Sequence, residues 1–381
     1  MKLMSPDYRG RTVPDIFTCN DGTPVTSKEV WEKKRRPEIL EMFRNQEYGC
    51  LPDMSDAKTK IRLADSRCDD TFMGGQAIRR TVEIETERKG IHFSFLFVLF
   101  IPKHAKKASP CFLMIGNRGI ANADPARQFM SSFWPAEMIV SRGYATAVVL
   151  TQDIAPDYEE GFTTRFHKLF PEYTGEKRPG NAWGAISAWS WGCSRIMDYL
   201  ETDPLIDAGH VCVIGHSRGG KTALWTLAQD QRFFMAASSC AGNSGDALAR
   251  GSTGETIAQI TGKFPYWFCK NYQRYAGSED SMPFDQHMLL ALAAPRLLYT
   301  TSRTFDNWAD QKGQFDSAVL ASGVYERIYG LTGLESKTMP KPETPLHKGM
   351  IGYHMKTGEH NLDEYNWNLI LDFADIHGMQ G

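Results

Sequence analysis

The sequence predicts an α/β fold: a three-layer sandwich around a mostly parallel, doubly wound sheet, with an antiparallel hairpin at its N-terminal end. Three observations carry the prediction. From Cys111 onward, short apolar runs alternate with helical stretches. Two longer runs of strand character precede them, separated by two turn-forming residues. A serine flanked by glycines stands where one apolar run meets the helical stretch after it.

Taken in order, SKEVWEKKRRPEILEMFRNQEYG (27–49) predicts a helix. AIRRTVEIETER and IHFSFLFVLFIP predict the two strands of the hairpin, turning at Lys89 and Gly90. The runs CFLMIG, GYATAVVL, VCVIG, MAASSCA and RLLYTTS, with a last one near MIGYHM, are apolar throughout rather than alternating. Such strands suit a parallel sheet covered by helices on both faces. SAWSWGCSRIMDYLETD and KTALWTLAQDQ predict two of the crossover helices. Ligands of such sheets sit beyond the carboxyl ends of the strands, so the chemistry belongs in the strand-to-helix loops.

Composition narrows the class of partner. With 43 basic against 45 acidic residues the formal net charge is −2, so no global field draws the chain to nucleic acid or to an anionic membrane. A small-molecule or oligosaccharide substrate is the expected partner; oligomeric state is not legible. The longest apolar stretch, 92–102, is far short of the roughly 20 residues of a membrane helix. MKLMSPDYRGRTVPDIF shows no apolar leader region. The eight cysteines lie without CxxC pairs, several in apolar runs, and are expected as buried free thiols of a reducing compartment. The expected location is therefore the cytoplasm, or outside the cell had a signal peptide been removed. No HExxH, no zinc-type cysteine pairing and no GxGxxG after a first strand occurs, so neither metal nor cofactor is expected.

The segment VCVIGHSRGGKTALW (211–225) contains Gly215-His216-Ser217-Arg218-Gly219, a G-x-S-x-G match between a strand-like and a helical run. That context is the nucleophile elbow of the α/β-hydrolase fold, where a tight turn exposes the serine and the glycines let strand and helix approach. A serine hydroxyl needs an imidazole to take its proton, and the imidazole needs a partner on its other nitrogen. In this fold the chain order is Ser, acid, His. Of the five histidines after Ser217, His360 stands in a polar loop beyond an apolar run, His354 lies within that run, and His377 is near the end of a terminal helix. His360 is the predicted base and His354 the alternative. RLLYTTSRTFDNWADQKG offers Asp306 as the acid, with Asp310 as alternative; either could instead cap a helix. Oxyanion donors are expected from the N–H of Arg218 and from Asn117 and Gly119 in the loop after CFLMIG. Residues 1–75 are expected to form a helical and loop extension packed on a catalytic domain of residues 76–381.

Together WGAISAWSWGCSRIMDYLE (183–201), GHSRGGK (215–221), PFDQHMLLALAAPR (283–296), DNWAD (306–310) and GEH (358–360) resemble carbohydrate esterase family fifteen, the glucuronoyl esterases, and their bacterial acetyl xylan esterase-like relatives. The resemblance implies a serine hydrolase acting on a plant cell wall sugar ester, foremost a 4-O-methyl-glucuronoyl ester of xylan. An acetyl xylan or acetyl-sugar esterase with the same triad is the alternative, and a catalytically silent sugar-binding relative a remote one. It also implies that the Arg218 side chain reaches the oxyanion, that Lys221 contacts sugar hydroxyls and that Trp308 lies against the sugar. In fungal members the acid glutamate follows the strand after the nucleophile helix; Cys240 stands there, so Asp306 supplies the acid, as in bacterial members. The fungal Gln and Glu that hold the uronate have no clear counterparts around GETIAQITGKFPYWF, where Glu255 is the one candidate. Trp267 of the same run joins the substrate-binding set.

Overall fold

In the computed structural model, which describes residues 8, 10–67 and 72–379, nine strands form one sheet in the order β1-β2-β3-β5-β4-β6-β7-β8-β9. They are β1 Ala57–Arg67, β2 Ala77–Arg88, β3 Ile91–Pro102, β4 Ser109–Gly116, β5 Ala145–Leu150, β6 Ile206–His216, β7 Met235–Ser239, β8 Leu297–Arg303 and β9 Ile351–Lys356. The pairs β1/β2, β2/β3 and β3/β5 are antiparallel, and all others are parallel. This is the predicted architecture, with each predicted apolar run at a strand.

The hairpin turns where expected because Lys89 and Gly90 both take left-handed backbone, φ 52° and 79°, whose twist matches the strands. Along β3 buried Phe93, Phe95 and Phe97 alternate with exposed His92, Ser94 and Leu96; from Phe97 to Ile101 every residue is buried. The change of pattern marks where the strand passes from a half-open face to the covered centre, where it joins β5 through Val98–Phe100. In β4, Cys111, Leu113 and Ile115 enter the core cluster on one face, and Phe112 and Met114 enter the cluster on the other. The helices Ala185–Leu200 and Arg218–Gln229 cover the first face and Glu364–Ile376 the second.

Two elements differ from expectation. β1 falls in the segment read as helix and loop; it is an edge strand whose Lys58, Lys60 and Arg62 are exposed, a charged edge that discourages further pairing. The first helix is not uniform, since a π turn, Trp31–Arg35, precedes the helix Arg36–Gln46. Pro37 has no N–H to donate, and the wider turn, with the Arg36 N–H on the Trp31 carbonyl, accommodates its ring.

That helix runs into a titratable anchor. Glu47 is fully buried, and its carboxyl oxygens lie 3.2 and 3.0 Å from Nε2 of Gln286, which donates to them. Burial pushes Glu47 up to about 8, against the pull of Gln286. The fold therefore keeps a proton that an unfolded glutamate loses near pH 4–5, so stability falls as pH rises through the interval up to about 8. Burial acts oppositely on His354 and His287, pushed down to about 3 and about 4, whose contribution is lost as pH falls below about 6.5. Urea unfolding at constant salt should show stability declining between about pH 6.5 and 8, and Glu47→Gln should flatten that alkaline limb. An unchanged limb in the variant would contradict the assignment.

Candidate active site

The C-terminal ends of β6, β7, β8 and β9 deliver the site. Ser217 follows β6 with φ 57° and ψ −123°, a strained conformation costing about 1–3 kcal/mol for a residue with a side chain. The turn is tight enough that a Cβ on Gly215 would lie 2.1 Å from the Gly219 carbonyl oxygen, and one on Gly220 would lie 3.0 Å from Ser238 Oγ. The Ser217 N–H donates to the Ser239 carbonyl at 2.8 Å, and the Lys221 N–H to the Ser217 carbonyl at 3.1 Å, which hold the strained residue between strand and helix.

His360 and Asp306 come from the loops after β9 and β8. Nδ1 of His360 lies 2.7 Å from Oδ2 of Asp306; the carboxylate is 4% exposed and the imidazole 40%. The two loops are tied by the Phe305 N–H on the Gly358 carbonyl at 3.0 Å and by the Gly358 N–H on Thr304 Oγ1 at 3.1 Å. The alternatives lie elsewhere. Asp310 caps the helix Gln311–Val324, accepting from the Gly313 N–H at 3.0 Å, and pairs with buried Arg11 at 3.2 Å. His354 is buried between the Tyr299 hydroxyl and Asn366 Nδ2, at 3.0 and 2.7 Å. His377 is bound to the His347 carbonyl.

Two residues outside the predicted set join the pair. His216 packs against His360 at 4.4 Å between ring centroids, and burial, then the charges of His360 and Arg118, push it well below its ordinary range. It stays neutral, its Nε2 accepting from Arg118 Nη2 at 2.9 Å. Arg118 also donates to Asn361 Oδ1 at 2.5 Å and to the His360 carbonyl at 3.3 Å, linking the loop after β4 to the histidine loop. Only the flanking Gly-x-Ser pattern placed His216 near Ser217; Arg118 stands in the loop read for oxyanion donors, between Asn117 and Gly119, but nothing in the sequence paired it with His216 and Asn361.

Ser217, Asp306, His360, Arg218, Lys221, Glu255, Trp267 and Trp308 all line one cavity of about 240 Å³, together with Cys240. Trp308 is 53% exposed. Trp267 is buried, stacked on Phe264 at 3.9 Å, and donates from Nε1 to Asp157 Oδ1 at 2.7 Å. Arg218 pairs with Asp157 and donates to the Asn117 carbonyl at 2.7 Å, so its guanidinium is held beside the cavity. Lys221 is 3% exposed and donates to the Ala241 and Asn243 carbonyls. It thus props the loop after β7 and has one N–H left for a ligand. Burial lowers its pKa, against the fields of Glu255, Asp246, Glu47 and Asp306. Asn117 and Gly119 are placed differently from the other donors. They line an adjoining depression that shares Arg218, and the Asn117 side chain donates to the His216 carbonyl at 3.0 Å, bracing the elbow from below.

Among the described residues, Cys240, Asp306 and His360 form the one group of three that could hold a metal ion, their ligand atoms lying within 4.8 Å of one another. The seven described cysteines are free; Cys68 lies outside the described residues. No described helix is long and apolar enough to cross a membrane.

Comparison with known proteins places this geometry. The family profile "Glucuronyl esterase, fungi" matches residues 84–329. A carbohydrate esterase of an unknown prokaryotic organism is 37% identical over 96% of this chain and 89% of its own length. A 4-O-methyl-glucuronoyl methylesterase of Schizophyllum commune is 29% identical over 84% of this chain and 75% of its own. The solved glucuronoyl esterase of Solibacter usitatus superposes with a TM-score of 0.87 at 35% identity, over 98% of this chain and 99% of that one. A promiscuous CE15 esterase from a marine bacterial metagenome does so at 0.86 and 34%, covering 98% of each. The chain belongs to the glucuronoyl esterases, carbohydrate esterase family fifteen.

Proposed function

We propose that this esterase cleaves glucuronoyl esters of xylan, with the sugar as the acyl part, through Ser217, His360 and Asp306. The observation that carries the reading is the single cavity into which Ser217 and the His360–Asp306 pair face together with Lys221 and Trp308. Ser217 Oγ attacks the ester carbonyl as His360 Nε2 takes its proton; Asp306 holds Nδ1–H and stabilises the imidazolium. The Arg218 N–H, with its guanidinium alongside, faces the developing oxyanion. The tetrahedral intermediate collapses as His360 returns the proton to the departing alcohol, and water repeats the sequence on the acyl-enzyme. The seven free thiols support a reducing compartment as its place of work.

A ring stacked on Trp308 and bonded by the remaining N–H of Lys221 has its carboxyl carbon over Ser217, with Glu255 beside Lys221 as acceptor for a second hydroxyl. Trp308→Ala should therefore lower kcat/KM for benzyl glucuronate by about 2- to 10-fold, the loss of one stacking contact worth about 0.5–1.5 kcal/mol. Turnover of a small acetate ester should hardly change. An equal loss on both substrates would remove Trp308 from sugar recognition.

A further inference from the structure

Cys240 has no part in the reaction above, yet its placement is unusual. It follows β7 in left-handed backbone, φ 51°, pinned by its N–H to the Thr301 carbonyl at 2.9 Å. Its thiol lines the cavity beside the His360–Asp306 pair, and the three ligand atoms lie within 4.8 Å of one another. Sulfur, imidazole nitrogen and carboxylate oxygen are the donor set of zinc and of softer divalent ions rather than of magnesium or calcium. Neighbouring donors of a tetrahedral zinc site are about 3–4 Å apart, so the three need close by no more than about 1 Å. The His360 side chain is 40% exposed and supplies most of that movement by rotating its imidazole, while its loop stays tied to Thr304 and Phe305.

We propose that Cys240, Asp306 and His360 form an inhibitory site for a soft divalent cation such as Zn²⁺ or Cd²⁺. The ion binds behind the imidazole, at the face Nδ1 turns to Asp306, with its fourth position open to the cavity. One proton leaves to solvent as the Cys240 thiol becomes a metal thiolate. The Nδ1 proton passes to Nε2, so the imidazole reaches Ser217 as a donor and no longer accepts its proton. Turnover stops while the sugar face of the cavity, Trp308 and Lys221, stays clear. The charged groups around the thiol are compatible with a cation: Asp306 and Asp246 are carboxylates, and Arg303 is already paired with Asp363 at 2.9 Å. Across the imidazole, His216 is neutral and Arg118 is engaged by Asn361. Because a thiol proton is released, apparent affinity rises about tenfold from pH 7 to pH 8.

The inhibition rests on the triad reading, whereas binding itself does not, so the test measures both. Cd²⁺ is titrated into the chelator-treated full chain, into Cys240→Ala and into Cys240→Ser, following the ultraviolet thiolate-to-cadmium band and, in parallel, ester hydrolysis relative to each protein's own metal-free rate. The expected result is one tight equivalent with the band in the parent, with kcat falling at least tenfold, KM holding, and a chelator restoring the rate. Both variants should lose the band and need at least tenfold more cadmium for inhibition. If the variants bind and are inhibited as the parent is, the site is elsewhere and the proposal is overturned. If the band forms without loss of kcat, the ion binds but leaves the imidazole in use, and the inhibitory claim is overturned. If no ester is turned over by the parent, the triad reading fails, and the band alone decides the metal site.

Discussion

Ser217→Ala is expected to lower kcat for any good ester by about 10⁴- to 10⁶-fold while leaving the unfolding midpoint within a few degrees of the parent. The size follows from the absence of a substitute: among the residues lining the cavity the other hydroxyl or thiol is that of Cys240, which burial and the Asp306 charge hold in its protonated form. Alanine carries the same Cβ through the same backbone conformation, φ 57°, that the elbow already accommodates, so the fold has no reason to fail. Single-turnover hydrolysis of a chromogenic ester, beside circular dichroism, checks it; near-parental turnover would move the nucleophile elsewhere.

The second large effect separates two aspartates four residues apart. Asp306→Asn keeps the shape of the acid but presents an amide to Nδ1 of His360, favouring the wrong tautomer, and kcat should fall by about 10⁴-fold. Asp310→Asn should leave activity per folded molecule near the parent. It keeps the cap on Gly313 but strips the charge from a pair whose side chains are 5% and 2% exposed, leaving Arg11 buried and uncompensated. The expected cost is about 3–5 kcal/mol of stability, read by urea unfolding. The opposite assignment of the two effects would make Asp310 the acid.

What the sequence could and could not tell follows from the range of each interaction. β4 to β9 were legible because burial on both faces makes a strand apolar throughout, and the elbow because its requirements lie within five consecutive residues. β1 was not, since an edge strand of AKTKIRLADSR has almost nothing to bury. Asp306 and Asp310 both follow β8 and by sequence either could cap a helix, so only the contact of Asp306 with His360, 54 residues on, distinguishes them. The brace of Arg118 on His216 and Asn361, like the meeting of Cys240 with His360, joins residues that topology alone brings together. Lys221 was legible by position but not by use, because its hydrogen bonds go to carbonyls, which leave no side-chain trace in a sequence.

The central claim is that the sugar is the acyl part. It is tested most directly by measuring kcat/KM for methyl 4-O-methyl-glucuronate and for acetylated xylo-oligosaccharides with the same enzyme under the same conditions. The glucuronate ester is expected to be preferred, with Trp308→Ala eroding the preference. Efficient release of acetate with no cleavage of the glucuronate ester would contradict it, leaving the serine mechanism in place but reversing which side of the ester the cavity holds.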